Sequence, residues 1–237
     1  MKNIFAIIFL LLSMKGYSQQ QLFHLYTDSA TLISDANEVV ADFVAKVNKI
    51  NSVFTSKPVA ILNTQPYLIF YSAKTNQINL PIWHQVMQQQ KAFFTELSGS
   101  KEEGEKVFGL FFNGFYLPHE IGHALQNAAI QVDTSKYLSA TKYESEYFAN
   151  TVAILYWKKV KRTKELEQCY TYAKKMIDQL RNPIPEGEDP ATFFDQNYYE
   201  LGADPYKYGY FQFKQFVEIY EDQNLADFDQ FIEKYLF

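Results

Sequence analysis

The chain has 237 residues, 47% of them hydrophobic and 21% charged, which excludes intrinsic disorder and fibrous repeats and fits one globular domain. Its formal net charge is −5 with no basic stripe, so nucleic-acid binding drops out as a function class. The single cysteine, Cys169, supports neither an internal disulfide framework nor a cysteine-based zinc site.

At the amino terminus, Lys2 precedes an unbroken apolar run from Ile4 to Leu12. Such a run is too short for a membrane span, which needs ~20 residues. With small residues at Gly16 and Ser18, it matches a secretory signal cleaved after Ser18. Residues 1–18 are therefore expected to be a signal peptide and residues 19–237 one domain, exported to a periplasmic or extracellular destination. No cysteine follows the run to carry a lipid anchor, and no stable membrane span is expected after cleavage. The mature chain keeps 20 basic and 27 acidic residues, a net charge of −7.

Ser29 to Ser52 carries Leu32, Ile33, Val39, Val40, Phe43, Val44 and Val47 near a 3.6 period and predicts a helix. Pro58 to Ser72 and Ile78 to Ile82 read as two or three short strands with turns at Asn63–Pro66 and Thr75–Gln77, ending in a hairpin. Pro81 cannot donate to a ladder, which favours an edge position for its strand. Trp83 to Leu97 predicts a helix, and Ser98 to Glu105, with two glycines and several charges, an exposed loop. The rest is expected to be mainly helical, with one loop at Asn182–Pro190. The fold class is α+β, with a strand-bearing front half and a helical rear half.

The informative segment is His119-Glu120-Ile121-Gly122-His123. Histidines four apart project from one face of a helix and can share one metal ion. Glu120, one position on, falls beside the ion, where it can take a proton from an activated water. Zinc suits this donor set, because imidazole is a borderline ligand and the ion has no redox chemistry. With 4 histidines and 16 glutamates in the chain, a chance match is expected about 0.005 times. The flanking residues Phe111, Phe112, Phe115 and Leu125 are apolar, so the helix is buried and its polar residues need partners. Pro118 directly before His119 implies a kink or the first turn of a fresh helix.

A catalytic zinc site needs a third protein ligand. His24 and His84 are poor candidates, one near the processed terminus and the other just past a strand. On the helix expected from Lys142 to Trp157, residues Glu146, Ala149, Asn150, Ala153 and Trp157 share one face. The alanines allow a close approach to the His119 helix, bringing Glu146 to the shared metal. Asn150, one turn later, can accept the second N–H of a ligand histidine. Glu144 is the competitor, but it lies about 200° round the helix.

These two motifs resemble the gluzincin clan of zinc metallopeptidases, in which His-Glu-x-x-His is followed by a helix bearing Glu-x-x-Ala-Asp or Glu-x-x-x-Asp. The resemblance covers roughly residues 105 to 160. It implies a zincin-like fold, with a small mixed sheet before the metal helix and an edge strand lining the cleft. It also implies His119, His123 and Glu146 as zinc ligands, Glu120 as general base, and a peptide or protein substrate. Asn150 departs from the usual Asp, and a neutral amide leaves its histidine less electron-rich, with lower metal affinity or rate expected. An oxyanion donor besides the metal is also needed. With no spare downstream histidine, a tyrosine must serve if a side chain does, from the tyrosine-rich segment Tyr198 to Phe213, Tyr208 being the choice ahead of Gly209 and an expected helix. The ordinary alternative for that segment is aromatic packing.

Three functions remain on sequence grounds: an exported zinc peptidase, a zinc-binding but inactive envelope protein, and a helical structural protein whose motif is accidental. The intact Glu120 argues against the second.

Overall fold

The computed structural model describes residues 22–51, 56–66, 68–132 and 140–236; the expected signal segment, 1–18, lies outside them. Among the described residues no helix is long and apolar enough to cross a membrane.

The chain opens with helix α1 (Ser29–Ile50), started by Asp28, whose carboxylate accepts the Thr31 N–H at 2.7 Å. Its apolar stripe from Leu32 to Val47 is buried. Strands β1 (Val59–Leu62), β2 (Phe70–Ser72) and β3 (Gln77–Leu80) follow. They form a mixed sheet in the order β1-β3-β2, with β1 parallel and β2 antiparallel to β3. The β2–β3 hairpin is the one expected, but the edge position inferred from Pro81 is wrong. β3 is the central strand, and Pro81 falls one residue past its last paired position, where its missing N–H interrupts no ladder bond.

The two edges are treated differently. On β1, the Asn37 side chain of α1 bonds both the N–H and the C=O of Ala60 at 3.0 Å, so an amide closes the edge. The β2 edge turns toward the His119 helix.

A short 3₁₀ turn (Trp83–Gln85) leads into α2 (Gln88–Ser98) and α3 (Lys101–Leu110). The exposed loop expected over Ser98–Glu105 is corrected here to a helix start. Gly99 takes a left-handed φ of 97° as the C-cap of α2, and the Ser100 side chain caps α3 immediately afterwards. Gly104 had the look of a loop residue, yet it serves packing: a Cβ there would lie 3.0 Å from the Thr95 backbone nitrogen.

From α3 the chain continues through a π-helical turn (Phe111–Phe115) into α4 (Tyr116–Val132). In an unbroken α-helix the ring of Pro118 would meet the Gly114 carbonyl four residues back. The widened turn carries that carbonyl, so Pro118 sits in the first turn of α4. The Phe23 ring lies against Gly114, where a Cβ would come within 2.5 Å of it, and the backbone at His24 and Leu25 runs against Gly109, where a Cβ would come within 2.6 Å. Phe23 then packs edge-on to Trp157 at 4.7 Å.

Helix α5 (Lys142–Lys159) is the centre of the molecule, buried on nearly every side from Ala149 to Trp157. It packs against α4 and is flanked by α6 (Thr163–Ile177), α7 (Pro190–Ala203), α8 (Pro205–Glu221) and α9 (Phe228–Leu236). The architecture is mixed α+β and mainly helical, with its small sheet in the N-terminal half.

Candidate metal centre

Two helices carry the site. On α4, His119 and His123 stand one turn apart with Nε2 atoms 3.1 Å from each other. On α5, the Glu146 Oε2 atom lies 3.3 Å from His119 Nε2 and 3.8 Å from His123 Nε2. The close approach depends on Gly122, since a Cβ there would sit 3.1 Å from Ala149 Cα. His119, His123 and Glu146 each present a ligand atom, all within 4.8 Å of one another. His24 and His84 are not in the group. Glu144 is not either: it is exposed and closes a capping box with Thr141 at the start of α5.

The hydrogen bonds fix which way each ring faces. The Glu146 carboxylate can only accept, so Gln212 Nε2 donates to its Oε2 at 2.9 Å. Asn150 Nδ2 donates to Gln212 Oε1 at 3.1 Å and to Gln215 Oε1 at 3.0 Å. That leaves Asn150 Oδ1 as the acceptor for the His119 Nδ1–H at 2.9 Å. His123 Nδ1 faces Gln126 Oε1 at 3.2 Å, an oxygen that also accepts from the Ser145 hydroxyl at 2.8 Å. With both Nδ1 atoms turned to amide oxygens, the two Nε2 atoms face a carboxylate oxygen and each other. Nε2 lone pairs so placed would repel without a cation between them, a proton in the metal-free group or a metal ion, so the donor set fits zinc on its own chemistry.

Electrostatics agree. Burial pulls the His123 imidazole down, but its hydrogen bond to Glu146 and the charges of Glu146 and Glu120 outweigh this and push it up to about 9. Burial raises the Glu146 carboxyl, yet hydrogen bonds and charge from the two histidines hold it well below the usual carboxylate range. The metal-free group keeps positive charge at its centre.

Glu120 lies outside the donor set. Its carboxylate accepts the Tyr71 backbone N–H from the edge of β2 at 2.7 Å, and burial pushes its pKa up. His119, Glu120 and Glu146 are 3%, 6% and 5% exposed, leaving His123 as the most open member.

The Tyr208 ring lies 6.4 Å from that of Tyr198, and the charge of Glu146 acts on its phenol. It lies inside α8 rather than ahead of a helix as expected, because Asp204 caps the helix four residues earlier. Tyr198, on α7, donates to Glu146 Oε1 at 3.3 Å. Burial, chiefly, raises both phenols, so they stay protonated donors.

Sequence reasoning missed Gln126, Ser145, Gln212 and Gln215, and it named Tyr198 only as part of the tyrosine-rich segment, without its bond to Glu146. The available signal was the pair Gln212 and Gln215, two amides among Phe211, Phe213 and Phe216 on one helix. Buried glutamines amid rings need polar partners. A scan against protein-family models finds no match, and searches of curated proteins and of solved structures find no chain similar to this one.

Proposed function

We propose that the protein is an exported zinc-dependent peptidase with a zincin-like fold. The observation that carries this reading is the convergence of His119 Nε2, His123 Nε2 and Glu146 Oε2, with tautomers fixed from behind and a separate carboxylate, Glu120, alongside.

Bound zinc would polarise the scissile carbonyl and acidify a water beside it. Glu120, beside the site, would take the proton from such a water and return it to the leaving amine. Burial pushes its pKa up, the direction that suits a group that must both take and give a proton. Tyr208, with Tyr198 beside it, offers a phenolic O–H toward the oxyanion. The export assignment rests on the composition of residues 1–18.

A second reading, a zinc-binding protein without turnover, is favoured by one feature. Glu120 is nearly covered and already bonded to the β2 edge, so a substrate must displace or share that strand N–H.

The test pairs zinc stoichiometry with hydrolysis of a broad peptide set, for the wild type and for Glu120→Gln. The peptidase reading expects zinc retained in both and hydrolysis reduced about 10²–10⁴-fold in the variant. Zinc without hydrolysis in the wild type moves the second reading ahead. A fully active Glu120→Gln overturns the base assignment.

A further inference from the structure

Asn150 is not a weakened version of an aspartate. Its position within the amide network requires the NH₂ group. Gln212 is committed to Glu146, since turning its amide round would set a carbonyl against that carboxylate. Its remaining oxygen faces Asn150 and can only accept. Gln215 points a second oxygen at the same nitrogen while its own NH₂ reaches the Tyr143 carbonyl at 3.3 Å. An aspartate at 150 would place a carboxylate oxygen against two carbonyl oxygens, in a pocket where residue 150 is fully buried.

We infer that Gln212 is the positioning residue of the metal centre: one amide on α8 that holds the Glu146 ligand directly and, through Asn150, fixes the proton on His119 so that its Nε2 lone pair faces the ion. This rests on the metal reading above. Gln212 therefore couples two of the three ligands, one on each of the helices α4 and α5, from a third helix that supplies no ligand itself. Gln215 is the internal control. It contacts Asn150 but not Glu146, and it is as deeply buried as Gln212. A purely structural role would make the two glutamines equivalent.

The experiment uses the full mature chain with Gln212→Met, Gln215→Met and Asn150→Asp. Zinc affinity is measured by chelator competition, the visible spectrum is recorded with cobalt(II) in place of zinc, and thermal unfolding is followed without metal. Gln212→Met is expected to lose about 10–100-fold in zinc affinity, as outer partners of metal ligands do, and to shift the cobalt bands. Gln215→Met is expected to lose similar metal-free stability with a smaller change in affinity and an unaltered cobalt spectrum. Asn150→Asp is expected to weaken zinc as well. Equal zinc and cobalt behaviour of the two glutamine variants would overturn the positioning role, as would tighter zinc binding by Asn150→Asp. A wild type that takes up neither metal overturns the metal reading itself, a result distinct from both.

Discussion

The polar cluster around His119 and the ring cluster around Phe115 occupy the same helical stretches, yet they are held in opposite ways. Phe115 meets Phe111, Tyr116 and Phe216 at centroid distances of 4.7 to 6.0 Å and tilts from 68° to 77°. No single contact fixes it, and a neighbour can shift while the rest still exclude water. In the polar cluster almost every atom has one assigned partner: Glu146 has Gln212 and Tyr198, His119 has Asn150, and His123 has Gln126. Ring packing tolerates change in direction, and a directed hydrogen-bond chain does not. Stability therefore resides mainly in the first region and metal recognition in the second.

That division is broken most forcefully by His123→Ala. The variant is expected to lose stoichiometric zinc, and with it any rise in melting temperature on zinc addition, because a bound ion stabilises only the state that binds it. Full zinc occupancy in this variant would falsify the ligand assignment. Phe115→Ala probes the other side. It should cost about 3–5 kcal/mol of metal-free stability, measured by denaturant unfolding, while the protein that remains folded keeps near-normal zinc affinity. Gly122→Ala lies where the regions meet, since its methyl presses on Ala149. Overpacking there is expected to cost about 1–3 kcal/mol and to weaken zinc by moving Glu146 away, a double effect that neither previous variant shows. Smallest is Glu144→Ala, which removes half of a capping box. It should cost about 0.3–1.5 kcal/mol and leave zinc untouched, in contrast to Glu146→Ala, which should lose it. Equal zinc loss in these two glutamate variants would mean the wrong face of α5 had been assigned.

What could be read from the sequence divides along the same line. His119, Glu120 and His123 announce themselves because a helix turns spacing into geometry, and Glu146 follows from the small residues that share its face. The helical rear half and the hairpin follow from periodicity and turn residues. Gln212 and Gln215 do not announce themselves, because their partners lie more than sixty residues away and glutamine in a helix has no characteristic spacing. Gly104 misled for a related reason. A glycine required by a neighbouring helix looks the same in sequence as one required by a turn. Pro81 misled because strand membership changes within a single residue of it.

The path of Phe23 and His24 across Gly109 and Gly114, ending at Trp157, bears on the order in which the molecule can be assembled. Their seat is built from segments far along the chain, on α3, the π-helical turn and α5. A contact so distant along the chain pays its loop-closure entropy before it gains packing. The segment around Phe23 therefore finds its full seat only when α3, the π-helical turn and α5 are all in place.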